Sequence, residues 1–429
     1  MTASPAKKPT MDDRRQEAMA ILRHNDRGGY TVPTEGLYPF QWNWDSAFAA
    51  MGFATFDEQR GWTELGRLFE GQWADGLVPH IIFHQPSDSY FPGPEVWGTR
   101  HNPPTSGITQ PPVAAMAALR MYREARDKAL ADSRARALLP KLAAWHAWWA
   151  SARDPDGRGA PALLHNWESG MDNSPAWDGP FEQVPATRTD YTRKDTGHVD
   201  AAMRPKKADY DRYIHLLETY RACGWHPDAM WKAAPFKVAH IGVNAILLRA
   251  ELDLAALAGL LGMEEIEAAA EARAARLSAF MRRMWSPSTR AFQSYDLLAG
   301  ERIKTATSAD FLPLLTDVPT EEQADAMAAE IARWRSLGKF GVPTVAPDDK
   351  AFDSRRYWRG PVWCVMNWLI ADGLQRHGFD AESEAVRRET ARLILDHGFA
   401  EYFDPVDGSP CGGFGFTWTA AAALAFAFR

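Results

Sequence analysis

Along most of the chain apolar residues recur at three- and four-residue spacing, the period of an amphipathic helix. The pattern predicts helices over Met11–Asn25, Asp45–Phe53, Asp57–Gln72, Pro111–Arg126, Leu130–Ala152 and Ala208–Cys223. It continues over Lys237–Leu261, Glu264–Met284, Glu321–Trp334, Val362–His377, Ala381–Asp396 and Thr417–Phe428. Asp45, directly after Trp44, reads as the N-cap of its helix. Strand-like alternation is scarce. Val78–Phe83 reads as a short strand, and Phe292–Ile303 as a hairpin turning at Leu298 to Glu301. Two irregular excursions, residues 73–110 and 154–207, interrupt the helices. Loops of that length in a compact domain tend to be functional.

Helices joined mostly in pairs by short links describe an all-α toroid better than any sheet architecture. No repeat signature of the tetratricopeptide kind is visible. An α/α barrel carrying both excursions on one rim is the economical architecture, with residues 11–429 as a single catalytic domain and 1–10 as a disordered leader. Periodicity alone does not require that the barrel close.

Composition narrows the functional classes. The chain has 429 residues, 46% hydrophobic and 24% charged, within the range of soluble globular proteins. A net charge of −7 without a long basic run argues against nucleic acid or an anionic membrane as a partner. Cys223, Cys364 and Cys411 are the only cysteines and lack CxxC spacing, which fits a reducing compartment and no zinc knuckle. Residues 1–20 contain no apolar run of a secretory signal. The most apolar helical stretch, around Val243–Leu261, is broken by Arg249, Glu251 and Asp253, so it does not read as a membrane span. A cytoplasmic protein is expected.

The eighteen tryptophans change the picture further. Trp42, Trp44, Trp73, Trp97, Trp167, Trp177, Trp358 and Trp363 fall in Gly/Pro/Asn-rich connections, where indole faces suit a ligand that is apolar on one side and polar on the other, as a sugar is. Trp145, Trp148 and Trp149 lie on a helical pattern and read as core.

The chain is organised around Asn166-Trp167-Glu168-Ser169-Gly170-Met171-Asp172-Asn173-Ser174-Pro175, which sets two carboxylates among loop formers. Asp172 there can project into a cleft; alternatively, it or Ser174 caps the next helix. Glu168 reads equally as a group that positions the loop. Three more aromatic, polar segments abut helices: Tyr38 to Ser46, Tyr357-Trp358-Arg359-Gly360-Pro361-Val362-Trp363, and Glu401-Tyr402-Phe403-Asp404-Pro405 followed by Gly412-Gly413-Phe414-Gly415. Converging at one rim, they would gather Asp45, Asp172, Glu401, Arg359 and several indoles. Two carboxylates in an aromatic cleft are the minimal kit for glycoside hydrolysis, one acid for the leaving oxygen and one base for water. Arg359 either pairs with a carboxylate to hold the rim or touches sugar hydroxyls. His80 and His84 have a helical metal spacing but sit in a strand-like segment, so no metal site is expected. The late glycines do not complete a dinucleotide-binding GxGxxG, since Trp418 stands where the third would be.

These segments, W-x-W-D-S, W-E-S-G-M-D-N-S-P, Y-W-R-G-P-V-W and E-Y-F-D-P in that order, resemble glycoside hydrolase family 63, in particular the small members acting on mannosylglycerate or glucosylglycerate. Trehalases of family 37 share looser versions. The resemblance covers about Tyr30 to Trp418. It implies an (α/α)6 barrel with long loops forming a lid over one rim, inversion at the anomeric carbon and no cofactor. By motif position it makes Asp172 the general acid and Glu401 the general base. It places Tyr38, Trp42, Trp44, Asp45, Gln110, Trp358 and Trp363 around the sugar, with Trp167 on the acid's loop and Tyr90 closing over the ligand. Arg204 and Tyr210 match residues that meet the glycerate carboxylate.

The reading is therefore an inverting α-glycosidase of a small glycoside with an acidic aglycone, giving free sugar and glycerate. An α-glucosidase acting on neutral disaccharides or oligosaccharides is the alternative. A sugar epimerase would rest on paired histidines, whereas the twelve here are scattered. A non-catalytic sugar-binding module would not need two separately presented carboxylates. Glucose or mannose, and the oligomeric state, stay open.

Overall fold

The computed structural model describes residues 8–429. Of the expected leader, residues 1–7 lie outside the described residues, and Thr10 already caps the first helix through a reciprocal box with Asp13.

Six inner segments form a closed ring. The helix Asn43–Ala54 packs on Ala114–Glu124, which packs on Ile241–Leu260, which packs on the 3₁₀ segment Ser308–Leu315. The ring continues through Cys364–Arg376 and Thr417–Ala422, and the last packs back on the first. Outside it stand Met11–Asn25, Glu58–Leu68, Lys128–Ala152, Glu264–Arg282, Glu321–Leu337 and Asp380–His397, each against an inner neighbour. This is an (α/α)6 barrel.

Sequence character divides the two rings. Every residue from Asn43 to Phe53 is buried, because an inner helix meets barrel neighbours and its outer partner all round. Outer helices are amphipathic: Glu58–Leu68 buries Trp62, Leu65 and Leu68 and turns Gln59 and Gly66 to solvent. Helix boundaries agree with the periodicity to within a few residues, with particular differences. Trp42, not Asp45, occupies the N-cap of the second helix, and Asp45 lies in its first turn with its carboxylate buried. The terminal helix ends at Ala422 and widens into a π turn over Ala423–Ala427.

The fourth inner segment escaped the helical pattern. Ser308–Leu315 is wholly buried, so no polar face marks a period, and Pro313 denies it an α-helical hydrogen bond. The hairpin is present in shorter form, pairing Tyr295 with Arg302 and Asp296 with Glu301. Within the expected strand only Ile81 and Ile82 pair, against Trp42 and Gln41.

Candidate active site

The site lies at one mouth of the barrel, where three inner helices begin: Asn43–Ala54, Ala114–Glu124 and Thr417–Ala422. A cleft of about 620 Å³ opens there. Tyr38, Trp42, Trp44, Asp45, Tyr90, Gln110, Trp167, Asp172, Arg204, Tyr210 and Glu401 all line it. Distant parts of the chain thus meet in one hollow, and both excursions contribute, Tyr90 from the first and Asp172 and Arg204 from the second.

Asp172 sits on a loop tied down by its backbone. The Asp172 carbonyl accepts from Asn166 Nδ2 at 2.8 Å and from the Tyr213 hydroxyl at 3.0 Å. The Trp177 indole donates to the Met171 carbonyl at 2.8 Å, and Asn173 Oδ1 accepts from the Trp358 amide at 2.8 Å. Glu168 anchors the loop from below, buried in an ion pair with Arg153 at 2.6 Å and accepting from the Leu164 amide at 2.9 Å. Gly170, at φ +68°, lets the chain pass Trp44: a Cβ there would stand 2.5 Å from the indole. Ser174, and not Asp172, caps the turn that follows. The Asp172 carboxyl is therefore left free in the cleft. Burial raises its pKa to about 7; the neighbouring Glu401 pushes the same way, and Arg204 only partly offsets them.

Glu401 has a different environment. It lies on the strand Ala400–Phe403, paired with Pro410–Phe414. Its Oε2 accepts from the Gly413 amide at 3.0 Å and its Oε1 from the Tyr38 hydroxyl at 3.0 Å. Arg204 Nη1 stands 3.7 Å from Oε1. Burial raises the pKa of Glu401, while Arg204 and these donors favour its ionised form. Gly412, at φ +72°, is required here, since a Cβ would fall 2.3 Å from Oε2. Burial also pushes Asp45 well above the carboxylate range, and both other carboxylates add to the shift.

Three expected contacts do not line the cleft. Trp358 and Trp363 stack face to face, ring centres 4.1 Å apart, and are fully buried. They act from behind it: Trp358 packs 6.0 Å from Trp44, and the Trp363 indole donates to the Tyr357 carbonyl at 3.1 Å. Arg359 is turned to the rim, where it grips Asp178 with two bonds of 2.8 and 2.7 Å. Of the loop indoles, Trp97 and Trp177 are likewise core, and Trp73 stacks on His101.

Other lining residues had weaker sequence signals. Tyr357 opens the Y-W-R-G-P-V-W segment, and its positive φ of 47° turns it into the cleft, 3.1 Å from the Tyr38 hydroxyl. His80 also lines the cleft, with Nδ1 2.8 Å from Ser106 Oγ, while His84 bonds Gln41. Their spacing thus reflects two separate polar contacts, and among the described residues no three His, Cys, Asp or Glu side chains gather as a metal site. Asp195 belongs to no recognisable motif. Arg204 is 3% exposed and bonds Asp195 at 3.0 Å. No described helix is long and apolar enough to cross a membrane.

Comparison with known proteins follows the same residues. A family described as the mannosylglycerate hydrolase MGH1-like glycoside hydrolase domain matches residues 38–419. Mannosylglycerate hydrolase MGH1 of Selaginella moellendorffii is 46% identical, over 95% of this chain and 84% of its own. Glucosylglycerate hydrolase of Mycolicibacterium hassiacum is 36% identical, over 95% and 96%. The crystal structure of the family 63 mannosylglycerate hydrolase of Thermus thermophilus, in complex with Tris and D-glycerate, superposes with a TM-score of 0.93 at 45% identity, covering 96% of this chain and 99% of that one.

Proposed function

The chain belongs to the mannosylglycerate hydrolase MGH1-like glycoside hydrolases, and we propose that it cleaves an α-glycoside of glycerate, mannosylglycerate or glucosylglycerate, with inversion at the anomeric carbon. The observation that carries this reading is the unequal environment of two carboxyl groups in one cleft. Asp172, with a pKa near 7 and no side-chain donor among the described residues, is suited to hold a proton at neutral pH. Glu401, which accepts from Gly413 and Tyr38 beside Arg204, is suited to act ionised. Environments that separate two carboxyl groups in this way assign the acid and the base.

In the reaction Asp172 gives its proton to the glycosidic oxygen as the bond to the anomeric carbon breaks. Glu401 takes a proton from a water that attacks the opposite face of the sugar, so the first-formed sugar carries the inverted configuration. Glycerate leaves with the proton of Asp172, and solvent restores both carboxyl groups. Trp42, Trp44 and Trp167 offer apolar faces, and Asp45 and Gln110 offer hydrogen bonds to sugar hydroxyls. Arg204, whose buried Nη1 makes no hydrogen bond and stands 3.7 Å from Glu401, is the charge-assisted donor for the glycerate carboxylate, with Tyr210 beside it. Trp358, Trp363 and Arg359 serve this site by supporting its walls. The excursions 73–110 and 154–207 act as its lid, on a single catalytic domain spanning 11–429. The unpaired state of Cys223, Cys364 and Cys411 supports a cytoplasmic setting.

The test is a substrate panel: mannosylglycerate, glucosylglycerate, their neutral glycerol counterparts and α-linked disaccharides, with NMR of the first-formed anomer. Free sugar of inverted configuration, released fastest from an acidic glycoside, is expected. Net retention contradicts the single-displacement roles, and faster cleavage of neutral disaccharides makes the enzyme a general α-glucosidase.

A further inference from the structure

The second excursion carries an ionic cluster of which the chemistry above uses only Arg204. Arg193 grips the Asp195 carboxylate along one edge, Nε to Oδ1 at 3.0 Å and Nη2 to Oδ2 at 2.6 Å. Its third nitrogen, Nη1, donates to the Pro205 carbonyl at 2.6 Å, and its guanidinium lies 4.1 Å over the Tyr210 ring. Arg204 reaches the same carboxylate through Nε alone, at 3.0 Å. Its guanidinium stacks 4.1 Å over Tyr357, and Nη1 makes no hydrogen bond but stands 3.7 Å from Glu401 Oε1, beside the cleft. Asp195 and Arg204 line the cleft; Arg193 does not.

Two cations therefore share one anion, and unequally. The two-bond grip is the stronger interaction, so Arg193 takes up most of the charge of Asp195. Burial opposes ionisation of Asp195, yet the Arg193 bonds and the Arg204 charge hold it at about 2, so the carboxylate is charged throughout the neutral range. Without Arg193, Arg204 would be its only cationic partner and would lose most of the field it presents to the cleft.

We propose that Arg193 is a positioning residue for acidic aglycones: it neutralises Asp195 from behind the cleft wall, so that Asp195 aims Arg204 while the outer edge of Arg204 stays charged and free for a carboxylate. The inference deepens, and rests on, the reading that the substrate is a glycoside of glycerate.

The experiment compares kcat/KM for an acidic glycoside, mannosylglycerate or glucosylglycerate, with that for its neutral glycerol counterpart. Arg193→Gln, which keeps hydrogen-bonding capacity but not charge, should lower the acidic-to-neutral ratio roughly 10- to 100-fold, mainly through KM of the acidic substrate. Arg193→Lys, which keeps the charge, should hold the ratio within about threefold of wild type. Adding Asp195→Asn to Arg193→Gln should restore the ratio, because removing the anion does what its partner did. A role confined to holding the loop through Pro205 predicts equal losses on both substrates and no rescue, and that result overturns the proposal. Should Arg193→Gln not fold, failure of Arg193→Lys to keep the ratio overturns it as well. A wild-type enzyme with no preference for the acidic glycoside instead sinks the substrate reading itself, before any substitution is made.

Discussion

Asp172→Asn should weaken the enzyme's chemistry and strengthen its fold, and the two effects have one cause. Burial lifts the carboxyl from an ordinary 3.8 to about 7. The difference is worth about 4 kcal/mol, at 1.36 kcal/mol for each tenfold change in proton affinity, as the cost of carrying the charge in the folded state. Asp172 faces the water of the cleft, which reduces the figure to roughly 1–3 kcal/mol. The sign follows from the raised value. The folded state holds its extra proton between the two pKa values, so this contribution is fully present below 3.8 and is lost as pH rises through about 7. Asparagine has no proton to lose. Thermal unfolding of both proteins should therefore nearly coincide only below about pH 4, the gap should open between the two pKa values, and by about pH 9 the variant should be the more stable by roughly 1–3 kcal/mol, a gain of a few degrees at this chain length. Turnover should fall on the order of 10²- to 10⁴-fold, and the wild-type rate should decline as pH rises through about 7. A stability gap that fails to open with pH, or a variant with near wild-type kcat, refutes the reasoning.

Glu401→Gln should leave the melting temperature close to wild type and remove roughly 10²- to 10⁴-fold of the rate, measured by steady-state kinetics; because burial raises the pKa of Glu401, the low-pH limb of the wild-type profile should lie above the ordinary glutamate value of 4.5. Gly412→Ala sets a Cβ 2.3 Å from Glu401 Oε2 at φ +72°, so it should lower stability by roughly 1–3 kcal/mol and cut kcat, both readable from melting and kinetics. Arg204→Ala should raise KM for an acidic glycoside roughly 10- to 100-fold more than for its neutral counterpart; equal loss on both would remove Arg204 from carboxylate recognition.

Much of this site was legible because its parts sit on connections with strong local rules. The Trp167 to Pro175 loop betrays itself by residues that refuse a helix, and the structure spends them on clamping the backbone of Asp172. Glu401 was legible through the glycines after it, of which Gly412 and Gly413 touch its carboxylate. Trp358 and Trp363 misled because an indole in a Gly/Pro-rich segment can face a ligand or stack on another indole, and only the fold decides. Asp195 carried no signal, and His80 only its spacing to His84, which points to no place in a sugar cleft. Their roles depend on Arg193, Arg204 and Ser106, which the chain brings to them across an irregular excursion and a strand crossing. Barrel closure was equally hidden, since its fourth inner segment is too short and too uniformly buried to show a period.

The barrel also presents a contest of effects at the cleft. Three inner helices start there, and the partial positive charge at a helix N-terminus stabilises a nearby carboxylate by about 0.3–1 kcal/mol. Were that field dominant, Asp45, in the first turn of Asn43–Ala54, would be a readily ionised acid. Its pKa instead lies well above the normal range, with burial the largest cause. The same holds for Asp172, whose rise to about 7 outweighs a helix terminus several-fold. Desolvation wins because the walls are largely indole and phenol rings, and among the described residues only Arg204 brings a full positive charge into the lining. This architecture raises Asp172 by burial at the mouth of the barrel, and it keeps Glu401 ionisable through two hydrogen-bond donors and the edge of Arg204.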